Sequence, residues 1–231
     1  MSLVQDLFRL FVPPTCPACG KLLIDGEHSF CTRCRMDAPL TTQPYSPANR
    51  LLDHLRETLP IERAAALMAF PKGSGWREVV HRFKYKRQWR AALDCGRWLG
   101  DALAEGGWFY GVDIVVAVPL HPLKQLRRSY NQADYIADGV AERLERPRVR
   151  GAVVRVRNNP SQALKRTDER WDNVAGIFAV RNAKALEGKH ILLVDDVITS
   201  GATIGSCAEA ILRAVPSAKV SIAAFATAHY I

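Results

Sequence analysis

The sequence predicts an α/β protein in which helices flank a parallel sheet, preceded by a small module with four cysteines. The runs at 112–118 and 191–194 are short, nearly continuous in apolar residues and rich in branched side chains, as in strands buried on both faces of a sheet. Stretches with apolar residues at every third or fourth position lie between such runs and indicate helices. Two Cys-x-x-Cys motifs occupy the first 36 residues, ahead of this alternation.

The four cysteines of the module are Cys16, Cys19, Cys31 and Cys34, in two Cys-x-x-Cys pairs separated by eleven residues. A tetrahedral structural Zn²⁺ requires four such ligands, so the pattern predicts a zinc ribbon whose folding depends on the metal. Disulfides are the alternative, and the absence of a secretory signal disfavours them. His28 lies between the pairs, either as a substitute ligand or as a solvated loop residue.

The remaining elements follow in chain order from hydrophobic periodicity. Residues 37–60 are rich in Pro and Thr and are expected to be a linker with one short helix near Leu51–Leu59. Strands are predicted at 64–70, 112–118, 152–156, 177–180, 191–194 and 220–226, and helices near 75–86, 91–105, 133–144 and 204–215. The expected domains are an N-terminal helix and zinc ribbon at 1–36, the linker at 37–60 and a doubly wound α/β domain at 61–231.

Composition narrows the class of protein and of ligand. The chain has 231 residues, of which 48% are hydrophobic and 24% charged, as is typical of a soluble globular protein. No apolar run reaches the ~20 residues of a membrane span. Residues 3–12 are too short and too charged for a signal peptide, so the expected location is the cytoplasm. A formal charge of +9 favours anionic ligands, whether polyphosphates or nucleic acid.

The most specific feature is the end of the apolar run at 191–194. Two carboxylates follow it, Asp195 and Asp196, and then a turn rich in Thr, Ser and Gly leads into a helix. Such a turn brings backbone N–H groups and the positive end of a helix dipole to one point, which suits a phosphate. Carboxylates at a strand end can accept hydrogen bonds from sugar hydroxyls or face Mg²⁺. The alternative is that the hydroxyl side chains only cap the helix and the acids are only solvated.

Residues 191–203 closely resemble the phosphoribosyl-pyrophosphate (PRPP) signature of type I phosphoribosyltransferases at thirteen consecutive positions. That signature consists of four hydrophobic residues, two acids, two hydrophobic residues and Thr-Ser-Gly-x-Thr. The resemblance implies a type I phosphoribosyltransferase-like sheet in which Asp195 and Asp196 hold the ribose hydroxyls, with Mg²⁺, and act as catalytic residues. It also implies that the residues that follow bind the 5′-phosphate of PRPP, namely Val197, Ile198, Thr199, Ser200, Gly201, Ala202 and Thr203.

Together with the cysteine module, three further stretches resemble the ComF family, known for its competence-associated members. Residues 113–122 and 127–132 are similar to the strand, pyrophosphate loop and Arg-Gly-Phe-Asn-Gln element of that family. Residues 155–162 and 170–173 are similar to its mobile loop, and residues 81–85 to its Leu-Ile-x-x-x-Lys-Tyr helix. The resemblance therefore covers nearly the whole chain.

The resemblance implies that pyrophosphate binds beside the acidic pair. The implied pyrophosphate-binding residues are Pro119, Leu120, Lys124, Arg127, Arg128 and Arg170, with Arg128 counted among the catalytic residues. A solvated basic helix start and an ordinary loop are the alternatives for these cations. Asn131 and Gln132 either cap the following helix or touch substrate. Two positions depart from the family, since Ser129 replaces a usual Gly and Asn159 a usual Thr.

A second anionic ligand is suggested by the basic and aromatic residues that precede position 91. Lys84, Lys86 and Arg87 are candidates for binding single-stranded nucleic acid, and Trp89 offers a ring for stacking. The alternative is that the rings belong to the core and the cations are solvated.

Three functions are compatible with these features. The first is a PRPP-binding glycosyltransferase of unknown acceptor, with structural Zn²⁺ and with Mg²⁺. The second, implied by the family, is the handling of single-stranded DNA in DNA uptake and natural transformation, with DNA-uptake or recombination proteins as partners. The third is an adaptor that holds a partner through the zinc ribbon and has lost transferase activity. The first two can coexist, and we expect that combination.

Overall fold

The computed structural model describes residues 13–27, 29–70, 76–80, 88–157 and 176–228. Its helices are α1 (Thr32–Met36), α2 (Arg50–Arg56), α3 (Trp89–Gly106), α4 (Pro122–Arg128), α5 (Gln132–Arg143) and α6 (Ala202–Ala214), with a 3-10 helix at Gln43–Tyr45. Its strands are β1 (Ala64–Ala69), β2 (Ile114–Ala117), β3 (Val153–Arg155), β4 (Phe178–Val180), β5 (His190–Ile198) and β6 (Lys219–Thr227). Residues 76–80 are also helical, at the start of a predicted helix.

Four strands form a parallel sheet in the order β1-β6-β5-β2, which confirms the predicted α/β architecture. β3 and β4 instead pair with each other as a separate antiparallel sheet. Both are short apolar runs. The sequence of such a run does not determine which strand it pairs with, because strand pairing depends on the rest of the fold. The central strands β5 and β6 are paired over nearly their full length, so β5 holds its last residues rigidly.

Alternate residues of the parallel strands enter two separate cores, one on each face of the sheet. On β5, Leu192 and Val194 face the core formed with α3 and α5, while Ile191 and Leu193 face the core formed with α2 and α6. All four side chains are fully buried. A strand that is buried on both faces has apolar residues at consecutive positions. Such continuous apolar runs in the sequence predicted this sheet.

Helices α3 and α5 approach each other closely through two glycines. A Cβ atom at Gly96 would lie 2.1 Å from the carbonyl oxygen of Ile136, and one at Gly139 would lie 2.3 Å from that of Leu93. Neither position can therefore carry a side chain without separating the helices. Because α3 follows β1 and α5 follows β2, this contact holds one face of the sheet together.

The segment 37–60, predicted to be a linker, packs on the α/β domain over much of its length. The side-chain oxygen of Asn49 accepts the N–H of Leu52 (2.9 Å) and so caps α2, while its side-chain nitrogen donates to Ala64 O (3.0 Å) at the start of β1. Leu51 and Leu55 of α2 are fully buried in the core beneath α6. The short helix predicted in this segment therefore contributes to the core of the domain.

Neighbouring chain covers the β1 edge of the parallel sheet and part of the β2 edge. Along β1, the backbone N–H of Thr41 donates to Leu67 O (2.9 Å), within an antiparallel bridge between Leu40 and Met68. Along β2, residues 147–149 run parallel to Val115 and bond to both its N–H and its carbonyl (3.0 Å each). Among the described residues, none of the helices combines the length and the hydropathy needed to cross a bilayer.

Candidate functional site

The four cysteines of the module lie together, with sulfur atoms all within 4.8 Å of one another. The Sγ atoms of Cys19 and Cys31 are 3.7 Å apart. A tetrahedron with Zn–S bonds of about 2.3 Å has S–S edges of about 3.8 Å, so this spacing fits a four-thiolate zinc site. All four thiols are free, as such a site requires. A hydrogen bond from the backbone of Lys21 lowers the pKa of the Cys19 thiol to about 7, which favours the thiolate.

The cysteine module is docked on the α/β domain by aromatic rings. Phe30, between the two cysteine pairs, is buried with its ring centroid 5.0 Å from that of Trp76 and 6.5 Å from that of Trp98 on α3. Trp76 in turn lies 6.5 Å from Phe225 on β6. The guanidinium of Arg35 sits over Trp98 at 4.9 Å. The module and the sheet therefore share one core.

The acidic pair lies near the carboxyl end of β5, but the strand is longer than the apolar run suggested. It includes Asp195 and Asp196 and ends at Ile198, which pairs with Thr227 of β6. Val197 and Ile198, expected in the phosphate loop, are strand residues, and Ile198 is buried. In the sequence, two acids after an apolar run indicate the end of a strand. Side chains alternate between the two faces of a sheet, however, so polar side chains can be partly exposed while the backbone pairing continues beyond them.

The phosphate-type loop is thus limited to residues 199–201, directly before α6. Gly201 is the N-cap residue of that helix and has φ of +77°, a conformation that side chains disfavour. A Cβ atom there would lie 2.8 Å from Cδ2 of Leu55, so α2 packs against this turn. His54 of α2 has Nε2 3.5 Å from the carbonyl oxygen of Ser200. Sequence reasoning missed both α2 residues, because they belong to a segment predicted to be a linker.

The predicted pyrophosphate loop lies beside the acidic pair. The backbone N–H of Val118, just after β2, donates to the carbonyl of Val194 (2.9 Å), the residue before Asp195. Pro119 and Leu120 follow as a partly exposed loop, and the side chain of His121 accepts the N–H of Leu123 and so caps α4. Three predicted site cations, Lys124, Arg127 and Arg128, lie on α4, with side chains outside the described part of the chain.

Ser129 explains one departure from the family pattern. It ends α4 in the left-handed conformation, with φ of +71°. Glycine adopts this conformation without strain, which accounts for the usual Gly at this position. This chain adopts the left-handed turn with a serine, at a conformational penalty of roughly 1 kcal/mol.

Asn131 anchors the predicted pyrophosphate loop at the residue before it. Its side-chain amide donates to the carbonyl of Val118 (3.1 Å), and the residue is 7% exposed. Although Asn131 is the N-cap residue of α5, its side chain makes no capping hydrogen bond there. The neighbouring Gln132 is 2% exposed, and its Nε2 has no hydrogen-bond partner among the described residues.

Arg155 of β3 is a further cation near the acidic pair that sequence reasoning did not select. It is half-buried, with its guanidinium 5.5 Å from the ring centre of Phe178. Burial lowers the pKa of Arg155, while the charge of Asp195 acts in the opposite direction. The β3–β4 pair thus brings a positive charge towards the acids.

Several predicted site residues fall outside the described residues. They are the nucleic-acid candidates Lys84, Lys86 and Arg87, the loop residues Asn159 and Arg170, and His28. Cys95 and Cys207 are buried core residues, and burial raises the pKa of both thiols.

Comparison with known proteins found one matching domain and several similar proteins. A phosphoribosyl transferase domain matches residues 131–229. The DNA utilization protein YhgH of Escherichia coli K12 is 27% identical over 217 residues, which cover 88% of this chain and 93% of that protein. Competence protein ComFC of Bacillus subtilis is 32% identical over 108 residues, covering 47% of this chain and 42% of that protein.

A second competence protein and one solved structure are also similar. Competence protein F of Haemophilus influenzae is 28% identical over 130 residues, covering 54% of this chain and 57% of that protein. The glutamine PRPP amidotransferase of B. subtilis superimposes on 63% of this chain with a TM-score of 0.42 and 21% identity, and the match spans 30% of that enzyme. The matching domain and the relatives named YhgH, competence protein F and ComFC show that the chain is similar to ComF-like proteins with a phosphoribosyl transferase domain, and the cysteine cluster and the parallel sheet agree with that similarity.

Proposed function

We propose that this protein binds PRPP with Mg²⁺ at the carboxyl end of β5 and transfers the phosphoribosyl group to an acceptor. The observation that carries the proposal is the turn at Gly201. It opens α6 three residues after the strand that holds Asp195 and Asp196, so the free backbone N–H groups of the first helical turn lie close to that strand's end. A phosphate and a ribose from one ligand therefore have adjacent binding groups.

In this reaction, the ribose side and the pyrophosphate side of the site have different roles. Breaking the bond between C1 of ribose and pyrophosphate develops positive charge on the sugar, as in glycoside cleavage. The carboxylates of Asp195 and Asp196 accept hydrogen bonds from the ribose hydroxyls and stabilise that charge. Residues 199–203 hold the 5′-phosphate, and the loop at 119–121 orients the leaving pyrophosphate. Mg²⁺, when bound at the acidic pair, neutralises charge on the diphosphate.

We also propose that the four cysteines hold a structural Zn²⁺. The distances between their sulfur atoms support this assignment, as does the small size of the module, which has few buried side chains of its own. Metal analysis is expected to find one Zn²⁺ per chain, lost in Cys34→Ser and retained in Cys207→Ala. Trp76 and Trp98 report the loss, because their fluorescence changes when Phe30 undocks.

Calorimetric titration of PRPP and Mg²⁺ into the zinc-loaded protein tests the transferase proposal. The variant Asp195→Asn/Asp196→Asn is expected to weaken binding at least about 100-fold, because each acid loses a charged hydrogen bond. Asp113→Asn is the matched control. Asp113 accepts the N–H of His190 (2.8 Å) at the opposite end of β5, far from the proposed ligand. No binding by folded wild-type protein would exclude the proposal.

A second candidate function is the binding of single-stranded DNA, in line with a relative named DNA utilization protein. The specific observation is a surface ring, Trp89, which is 40% exposed, with Arg90 over it at 5.2 Å and Tyr135 at 5.6 Å. A nucleobase can stack on such a ring while cations contact the phosphates. The ring directly follows the basic candidates Lys84, Lys86 and Arg87.

Fluorescence anisotropy with an oligonucleotide tests this second function. Trp89→Ala and Lys84→Ala/Lys86→Ala/Arg87→Ala are each expected to weaken binding at least about fivefold, and the triple variant is expected to flatten the salt dependence. The control is Tyr110→Ala, which removes a 74% exposed ring that also lies under an arginine, Arg63, at 4.6 Å. Equal affinity in all three variants would rule out this surface.

A further inference from the structure

The outer edge of β4 carries backbone groups without partners. Among the described residues, β4 pairs only with β3, on one side. At the two ends of this pairing, the carbonyl of Ile177 and the N–H of Arg181 are each bonded to the β3 side at 2.8 Å. Backbone groups alternate in direction along an antiparallel strand, so Ala179 also faces β3, whereas the N–H and C=O groups of Phe178 and Val180 point outward. No described residue is bonded to these outward groups.

This edge borders an open groove at the surface. The other wall of the groove is one face of α6, and its cavity volume is about 220 Å³. That volume is below the roughly 300–1,000 Å³ of small-molecule pockets, so a small ligand is not the expected occupant. A backbone edge beside a helix face is instead the arrangement to which an extended chain adds. The α6 residues along the groove are Ser206, Glu209, Ala210, Arg213 and Ala214.

The sequence of β4 does nothing to prevent such addition. Exposed edge strands usually carry charged residues or proline, and residues 177–180 have neither. Residues 39–41 and 147–149, by contrast, lie along the edges of the parallel sheet. With three residues in each strand, the β3–β4 pair is also short for an isolated two-stranded sheet, which is only marginally stable. A further strand would therefore stabilise it.

We propose that this strand is β4 of a second copy of the chain, paired antiparallel across a twofold axis that passes at Ala179. In that register, Phe178 of each copy lies opposite Val180 of the other, and the two residues exchange hydrogen bonds. Every outward N–H and C=O group of both strands is then paired. The two β3–β4 pairs become one continuous antiparallel sheet.

The walls of the groove also suit a second copy. An interface on a twofold axis must be self-complementary, because the same surface is used on both sides. Ala210 and Ala214 leave room beside β4 for an approaching strand. Glu209 and Arg213 form an ion pair within α6, so each copy presents both signs of charge to the other. Neither charge is left without an unlike partner in the dimer.

Sedimentation equilibrium of the zinc-loaded full chain tests the dimer, and a monomer–dimer equilibrium is expected. Val180→Pro removes an outward N–H but no hydrogen bond to β3, and Ala214→Arg places a long cation in the groove at a helix end that tolerates it. Each variant is expected to raise the dissociation constant of the dimer at least about tenfold. Ala104→Arg is the matched control, an exposed alanine in the last turn of α3, and is expected to leave dimerisation unchanged. Circular dichroism checks that all three variants are folded.

Crosslinking tests the register without weakening the interface. Ala179 lies opposite itself across the proposed axis, where a pair without mutual hydrogen bonds has a Cα separation of about 4.5 Å, within the range of a disulfide. With a mild thiol oxidant, Ala179→Cys is expected to form a covalent dimer at least about tenfold faster than Ala104→Cys. Non-reducing electrophoresis measures both rates, with the zinc-loaded wild type as the background.

A wild-type chain that stays monomeric up to about 100 µM would overturn the inference and leave the β4 edge to an extended segment of another protein. A dimer that persists unchanged in Val180→Pro and Ala214→Arg would also overturn it, because the interface would then lie elsewhere. Equal crosslinking of Ala179→Cys and Ala104→Cys would have the same consequence. The proposed PRPP site does not depend on this edge, so its own titration stands or fails separately.

Discussion

Polar side chains are buried at both ends of the parallel sheet, but their hydrogen bonding differs. At the amino end, the ring of His190 and the hydroxyl of Ser221 are buried and bonded to each other at 2.8 Å, and Asp113 accepts the N–H of His190. At the carboxyl end, the hydroxyl of Thr227 is fully buried, yet it has no hydrogen-bond partner among the described residues, and the same holds for the amide of Gln132. A hydrogen-bonded His–Ser pair resembles a catalytic dyad, but the hydroxyl of Ser221 is fully buried and out of reach of a substrate, so the pair is structural. The proposed ligand site therefore lies at the end of the sheet where buried polar atoms lack partners among the described residues.

The largest expected difference between the two ends concerns glycines that flank β5. Gly188 (φ +65°) precedes the strand with open space around it, while Gly201 (φ +77°) follows it against Leu55. Gly201→Ala is expected to lower the free energy of unfolding by about 2–3 kcal/mol and to abolish ribose 5-phosphate binding, whereas Gly188→Ala lowers stability by about 1 kcal/mol only. Chemical denaturation and calorimetry measure both quantities. Retained ligand binding in Gly201→Ala would show that this turn is not the phosphate site.

The buried hydroxyls should respond differently to removal. Ser221→Ala is expected to lower the free energy of unfolding by about 1–3 kcal/mol, because it leaves a ring nitrogen of His190 buried and unpaired. Thr227→Val keeps the shape of a side chain that makes no hydrogen bond with the described residues, so stability is expected to stay level or rise. Urea denaturation compares the two. Equal losses would mean that Thr227 is as well satisfied as Ser221.

The pH dependence of stability should originate partly from the amino end. Burial, reinforced by Arg63, lowers the pKa of His190 below its ordinary value of about 6.5. As the pH falls below about 6.5, the unfolded chain takes up a proton that the folded chain refuses, so stability falls with pH in that window. His190→Gln is expected to reduce this slope, measured as the free energy of unfolding between about pH 7.5 and 5. An unchanged slope would show that His190 titrates normally in the folded protein.

The smallest expected change in stability concerns two residues with strained backbones, one at each end of the parallel sheet. Ser129 (φ +71°) ends α4 at the carboxyl end of the sheet, and Glu145 (φ +52°) follows α5 at the amino end. Replacing either with Gly is expected to raise stability by about 0.5–1 kcal/mol, because strain is relieved. Only Ser129→Gly is expected to change pyrophosphate affinity, by about two- to fivefold. Thermal unfolding and calorimetry provide the measurements, and a change of affinity in Glu145→Gly would argue against a local effect.

Local sequence was sufficient for the parts of the molecule that local chemistry determines. The parallel strands follow from continuous apolar runs, the cysteine cluster from the spacing of its ligands, and the turn before α6 from Gly201. Each of these depends on residues within about ten positions of one another or, for the cysteines, on a single repeated motif.

Contacts between distant segments were not predictable in this way. The packing of Leu55 against Gly201 joins residues 146 positions apart, and nothing in either segment specifies the other. The role of Asn131 also depends on tertiary structure, since the same side chain could have capped α5 and instead reaches Val118. Strand β5 was predicted too short because two acids interrupt its apolar pattern, although pairing with β6 extends it to Ile198.

The covered edges of the parallel sheet limit how this protein can assemble. An exposed edge strand is a template on which another chain can add a strand, either in recognition or in aggregation. Here residues 39–41 occupy the β1 edge and residues 147–149 occupy part of the β2 edge. Few backbone N–H and C=O groups on the edges of the described parallel sheet are therefore available to pair with a partner protein or a growing aggregate. We expect partners to contact the β3–β4 pair, the helices, the loops and the cysteine module instead.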